Sequence, residues 1–141
     1  MAKKILTPDV MKDLRESFKH LKGDVALSVF TAKGRNDPHN ALARQLVEEF
    51  AEAEPRLKPA FHEIGGTEAR RLGVDRSPTI MVAPDKYDIR FMGVPLGEEG
   101  QSFVMALIMA STGKGFWDEG SKKAIEPLRD KRHVRVFVSP T

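Results

Sequence analysis

The 141 residues include no cysteine. Thiol nucleophiles, disulfides, zinc–cysteine sites and iron–sulfur clusters are therefore excluded from this chain. The histidines, His20, His39, His62 and His133, lie far apart and none pairs at i, i+4, so no metal site is expected. Asp37 and His39 have the side chains for acid–base work. Asp37 also precedes Pro38, where a carboxylate caps a helix, and the cap is the expected role. Ser111-Thr112-Gly113-Lys114-Gly115 has the look of a phosphate loop but lacks the earlier glycine and the Ser or Thr after Gly-Lys. Glu98 and Glu99 read as first-turn helix acids rather than a catalytic pair. Trp117, the single tryptophan, reads as an anchor for a returning segment.

The whole chain is about one domain long, and its 40% apolar and 30% charged residues suit a single packed core. Lys and Arg number 23 against 20 Asp and Glu, a formal charge of +3. The two signs interleave without a run of five, so no nucleic-acid patch is expected. The longest apolar run, Phe103 to Ala110, is too short to span a bilayer. No long apolar stretch follows Met1-Ala2-Lys3-Lys4, so no signal peptide and no membrane partner are expected, and the location expected is cytoplasmic.

Thr7-Pro8-Asp9 opens a helix carrying Val10, Met11, Leu14, Phe18 and Leu21, and Gly23 stops it. Asp24 to Thr31 reads as a strand covered on both sides, with Val25, Leu27 and Val29 on one face and Phe30 behind. Asp37-Pro38 opens a helix striped by Leu42, Leu46, Val47 and Phe50, ending at Glu54-Pro55. Leu57 to Ile64 predicts a strand, at a sheet edge by Pro59. Thr67 to Leu72 predicts a short helix capped by Thr67 and closed by Gly73. Thr79 to Val82 and Tyr87 to Met92 predict paired strands around the Ala83-Pro84-Asp85-Lys86 turn. Gln101 to Ser111 is an apolar helix, Ser121 to Arg129 a helix that Pro127 shortens, and His133 to Val138 an alternating strand. A strand–helix–strand unit, a hairpin and a covering helix make an α/β fold: a central mixed sheet flanked by helices, with an extra helix in front.

Three stretches carry a family likeness: Val74-Asp75-Arg76-Ser77-Pro78-Thr79-Ile80, Arg90-Phe91-Met92-Gly93-Val94-Pro95-Leu96-Gly97, and Ser121-Lys122-Lys123-Ala124-Ile125 through Val136-Phe137-Val138-Ser139-Pro140-Thr141. Together they resemble the N-terminal thioredoxin-fold half of thermophile protein disulfide oxidoreductases, which are glutaredoxin-like. They also resemble the N-terminal domain of the flavoprotein component of alkyl hydroperoxide reductase. The likeness covers essentially the whole chain. It implies a thioredoxin-like fold, a cis bond before Pro78, and a peptide groove at Ser77, Pro78 and Thr79 beside Asp37. Active members carry Cys-x-x-Cys where a helix dipole stabilises the thiolate. With Gln45-Leu46-Val47 in register, Asp37, Pro38, His39 and Asn40 fill those four positions here, so this domain has no dithiol chemistry.

The likeness divides the chain into a thioredoxin-like domain lacking the motif (1–115), a connecting helix (116–131) and a strand of a second thioredoxin fold (132–141). An active half, with cysteines or selenocysteine, would then follow Thr141. A UGA codon read as stop, a natural terminus and a truncation all remain open as reasons for the ending. The function expected is that of a redox-inactive scaffold and substrate-binding half, taking protein or peptide substrates at the Pro78 groove and needing no cofactor. A stand-alone peptide-binding or adaptor module is the alternative, and an enzyme using Asp37 and His39 a third reading. The apolar tail also predicts a homodimer by strand pairing.

Overall fold

The computed structural model describes residues 3–139. Helix α1 (Pro8–Ser17) starts where expected: the Thr7 hydroxyl accepts the Val10 N–H at 3.3 Å, and Pro8 occupies the first turn. A single 3₁₀ turn (Phe18–His20) continues it and buries Phe18. The Arg56 guanidinium closes this end, donating to the Phe18 carbonyl at 3.0 Å and the Leu21 carbonyl at 2.8 Å. Carbonyls at a helix end have no partner further along the helix, so a side chain from elsewhere supplies one.

The sheet has four strands in the order β2-β1-β3-β4: β1 (Val25–Thr31), β2 (Leu57–Glu63), β3 (Thr79–Val82) and β4 (Ile89–Met92). β1 runs parallel to β2 and antiparallel to β3, and β3 and β4 form an antiparallel hairpin. The parallel pair is joined by α2 (Asp37–Ala53), the helical crossover that parallel strands need. Strand alternation sorts the β1 side chains as expected. Val25, Leu27 and Val29 enter the main core with α1, α2 and α4 (Glu99–Thr112). Phe30 faces the other way, into a smaller cluster with Met81, Val74 and Ala69 of α3 (Thr67–Leu72). His62 stacks on Phe30 with ring centroids 5.1 Å apart.

Four aromatic rings run through the main core. Phe18 meets Phe50 edge-on at 5.9 Å, Phe50 meets Phe103 at 5.2 Å, and Phe103 meets Phe91 edge-on at 5.1 Å. The series ties α1, α2, α4 and β4 together.

Several boundaries differ from the sequence reading, each for a local reason. Gly66, not Thr67, is the residue before α3, and no side chain caps it. Gly73 closes α3 in the left-handed region at φ 65°, and Gly113 closes α4 at φ 69°. β4 begins at Ile89 rather than Tyr87, because the Lys86 and Tyr87 N–H groups both turn back to the Ala83 carbonyl. Helix α5 (Glu119–Ile125) starts on Asp118, whose carboxylate accepts the Ser121 N–H at 2.7 Å, and it stops before Pro127.

The largest difference is the tail. Residues 133–138 form no strand, and no ladder pairs them with another segment among the described residues. Alternation gives a strand its two faces, not its hydrogen bonds; those need a neighbour. Pro140 and Thr141 of the expected strand lie outside the described residues. No described helix is long and apolar enough to cross a membrane.

Candidate functional site

The N-terminus of α2 abuts the turn that leads into β3, which brings Asn36 and Asn40 to Ser77. The Ser77–Pro78 bond is cis. Asn36 precedes the helix in the left-handed region, at φ 59° and ψ 40°, a conformation asparagine tolerates better than most residues. This corrects the cap expected of Asp37. Asn36 is the cap residue, though its side chain caps no helix N–H, and Asp37 is already the first helical residue. The Asn36 amide instead donates to the Ser77 carbonyl at 2.8 Å. The Asp37 carboxylate turns back to the loop, accepting the Gly34 N–H at 2.8 Å.

Asn40 is the centre of the site. It is buried, and its amide nitrogen donates to the Ala32 and Arg35 carbonyls at 3.1 and 2.8 Å. Its oxygen accepts the Ser77 hydroxyl at 2.8 Å, while that hydroxyl accepts the Ala32 N–H at 2.7 Å. Arg35 reaches across to the Asp75 carbonyl at 3.1 Å, and the Thr79 hydroxyl donates to the Arg76 carbonyl at 2.7 Å. The end of β1, the loop, the start of α2 and the proline turn are thus joined by one polar network. Among the described residues no buried side-chain nitrogen or oxygen lacks a partner. A network satisfied to this degree holds one geometry.

His39 is exposed at the same helix end, and no hydrogen bond joins it to Asp37 among the described residues. The pair is therefore not linked for proton transfer. Ser77 and Thr79 of the expected peptide groove are buried. An extended peptide reaching for the Ser77 carbonyl would have to displace the Asn36 amide.

The chain's topology, the cis bond before Pro78 and the helix end facing it decide the comparison with known structures. The fold is thioredoxin-like. A protein disulfide oxidoreductase from Aeropyrum pernix superposes on 87% of this chain and 55% of its own, with a TM-score of 0.73 and 23% identity. The alkylhydroperoxide reductase AhpF from Enterococcus faecalis superposes on 88% of this chain and 61% of its own, with a TM-score of 0.75 and 20% identity. The N-terminal N/C domain of the same reductase gives 0.73 at 19% identity. In the oxidoreductase and the reductase the thioredoxin-like domain matches the N-terminal half. A curated relative, an NADH dehydrogenase of Ferdinandcohnia aciditolerans, is 25% identical over 137 residues, which are 96% of this chain and 24% of that protein. The chain therefore spans about a quarter of that relative and little more than half of the solved chains. No family model matches the chain.

Two residues of this thioredoxin-like domain matter more than the sequence pattern suggests. By sequence Asn40 only stands where a sulfur would be; its place as the hub needs the fold that brings Ser77 to it. Glu49 lies on the apolar side of α2, three residues after Leu46 and one before Phe50, and a carboxylate on that stripe was the available signal. It is 4% exposed and accepts the Ile5 and Leu6 N–H groups at 2.9 and 2.8 Å and the Gln45 amide at 2.7 Å. Beside it Lys4 pairs with Glu52.

Asn40→Ala should lower stability by about 1–2 kcal/mol, within the range for leaving buried groups unpaired. Urea unfolding of the two proteins checks this. Equal midpoints would mean that water replaces the amide at no cost and that the network does not organise the site.

Proposed function

We propose that this chain is a thiol-free thioredoxin-like module that supports a redox-active unit instead of exchanging disulfides itself. One observation carries the reading. Of the four residues in register with the dithiol motif, Asp37, Pro38, His39 and Asn40, the first is bonded to the loop before α2 and the last to that loop and to Ser77, in a chain without cysteine. Electron transfer through a dithiol needs two sulfurs there; hydrogen bonds have taken their place. The likeness to the N-terminal halves of a disulfide oxidoreductase and an alkylhydroperoxide reductase supports a scaffold role beside an active half. The much longer NADH dehydrogenase relative supports a partner unit that draws electrons from NADH. Protein or peptide substrates would dock over Ser77, Pro78 and Thr79, with release of the Asn36 amide as the entry step. A cytoplasmic location goes with this role.

The test is insulin reduction by dithiothreitol. The natural sequence should leave the rate at the buffer level. The double variant Asp37→Cys, Asn40→Cys should raise it and form an internal disulfide on oxidation, read as a mass loss of about two daltons, the two thiol hydrogens. Residues three apart in a first helical turn come within the roughly 4.4–6.8 Å between Cα atoms that a disulfide spans. Turnover by the natural sequence above buffer would end the proposal. Failure of the double variant to close its disulfide would show that these positions do not hold dithiol geometry.

A further inference from the structure

The loop before α2 and the turn before β3 meet through backbone carbonyls. The Arg35 guanidinium donates to the Asp75 carbonyl at 3.1 Å, and the Asn36 amide to the Ser77 carbonyl at 2.8 Å. Both donors belong to exposed residues. The Ser77 N–H makes no hydrogen bond among the described residues, although the Ser77 hydroxyl makes two. One residue, 8% exposed, thus has an acceptor taken by a side chain and a donor without a protein partner. Most backbone groups of a folded chain are paired, so such a donor marks a place for a ligand or for water. A peptide that pairs with the backbone of one residue uses both groups at once. It donates an N–H to the carbonyl and accepts the N–H.

The members of this network differ in how firmly they are held. Asn40 is 7% exposed, and its side chain bonds Ala32, Arg35 and Ser77. Asn36 is exposed, and the bond to Ser77 is the only one its side chain makes among the described residues. Rotation of the Asn36 side chain breaks that bond without moving the backbone. Exchange of this amide for a peptide N–H is close to balanced, because the Ser77 carbonyl is satisfied before and after.

We propose that Asn36 is an autoinhibitory latch of the peptide site: its amide stands on the Ser77 carbonyl in the place of a peptide N–H and swings out when an extended peptide pairs there. This rests on the docking of peptides over Ser77, Pro78 and Thr79 proposed above. The latch keeps the carbonyl satisfied while the site is empty. It also weakens every peptide by the hydrogen bond that must first be displaced. Pairing at Ser77 reads backbone rather than side chains, so the occupant is an extended segment with an N–H to offer. A proline at the paired position is rejected, having none.

Amide NMR titration of the isotope-labelled chain with S-carboxymethylated insulin B chain, an unfolded peptide without thiols, tests the latch. The natural chain is compared with Asn36→Gly, because glycine takes the left-handed conformation, φ 59°, that Asn36 holds and carries no amide. In the natural chain the peptide should shift the Ser77 N–H and the Asn36 side-chain amide signals together. Asn36→Gly should bind the peptide about fivefold more tightly, the effect of sparing one exposed hydrogen bond. The amide spectrum of the unbound variant shows whether its fold is kept, and the two signals of the natural chain test the latch even where it is not. Equal or weaker binding by a folded Asn36→Gly overturns the latch and leaves the docking reading standing. So does an Asn36 side-chain signal that stays in place while Ser77 shifts. A Ser77 signal unmoved in both chains overturns the latch and the docking reading together.

Discussion

Phe103→Ala should lower the stability of this domain by about 3–5 kcal/mol, the usual loss for truncating a buried aromatic ring. Phe103 is fully buried and sits in the middle of the aromatic series, touching Phe50 on one side and Phe91 on the other. Its removal opens a cavity between α2, α4 and β4 that none of the three can close alone. It also forfeits two ring–ring contacts worth roughly 0.5–1.5 kcal/mol each beyond their area. Urea unfolding measures the change directly. Phe103→Leu keeps most of the volume and should cost much less. If both substitutions shift the midpoint equally, the ring geometry rather than the cavity holds the core. If neither shifts it, α4 does not pack on these rings.

Glu49→Gln should lower stability at neutral pH by about 1.5–3 kcal/mol, the value of hydrogen bonds made to a charged group. Burial alone would raise the Glu49 carboxyl above its ordinary value. The N–H groups of Ile5 and Leu6, the Gln45 amide and the nearby Lys4 outweigh burial and hold it below. A carboxylate whose folded pKa is depressed contributes stability above its unfolded value, about 4.3 for glutamate, and loses it as the pH falls through the folded value. The gap between the natural chain and Glu49→Gln should therefore be full at pH 7 and narrow as the pH drops below about 4. Subtracting the two proteins removes the parallel titration of Glu54, Glu68 and Asp118, which are also lowered. A gap of about the same size at pH ~3 and pH ~7 would show that the negative charge of Glu49 is not what anchors residues 5 and 6.

The strand pattern of β1, the stripe of α2, the turn at Ala83 and the absence of cysteine were all legible in the amino-acid sequence. Each depends on neighbours a few residues away: alternation, 3.6-residue spacing, turn chemistry or composition. They were enough to expect the order of elements, the edge position of β2 through Pro59, and the absence of dithiol chemistry. The misjudged features depend on distant partners. Asp37 has the side chain of a cap, but Asn36 takes that position because its amide reaches Ser77, a residue 41 positions away. Asn40 becomes a hub, and Glu49 a buried anchor for residues 5 and 6, only when the fold delivers carbonyl and N–H groups from elsewhere. The tail shows the same division most plainly. Its alternation was written in the sequence, yet 133–138 form no strand here, because backbone hydrogen bonds need a neighbouring strand that tertiary or quaternary structure must provide.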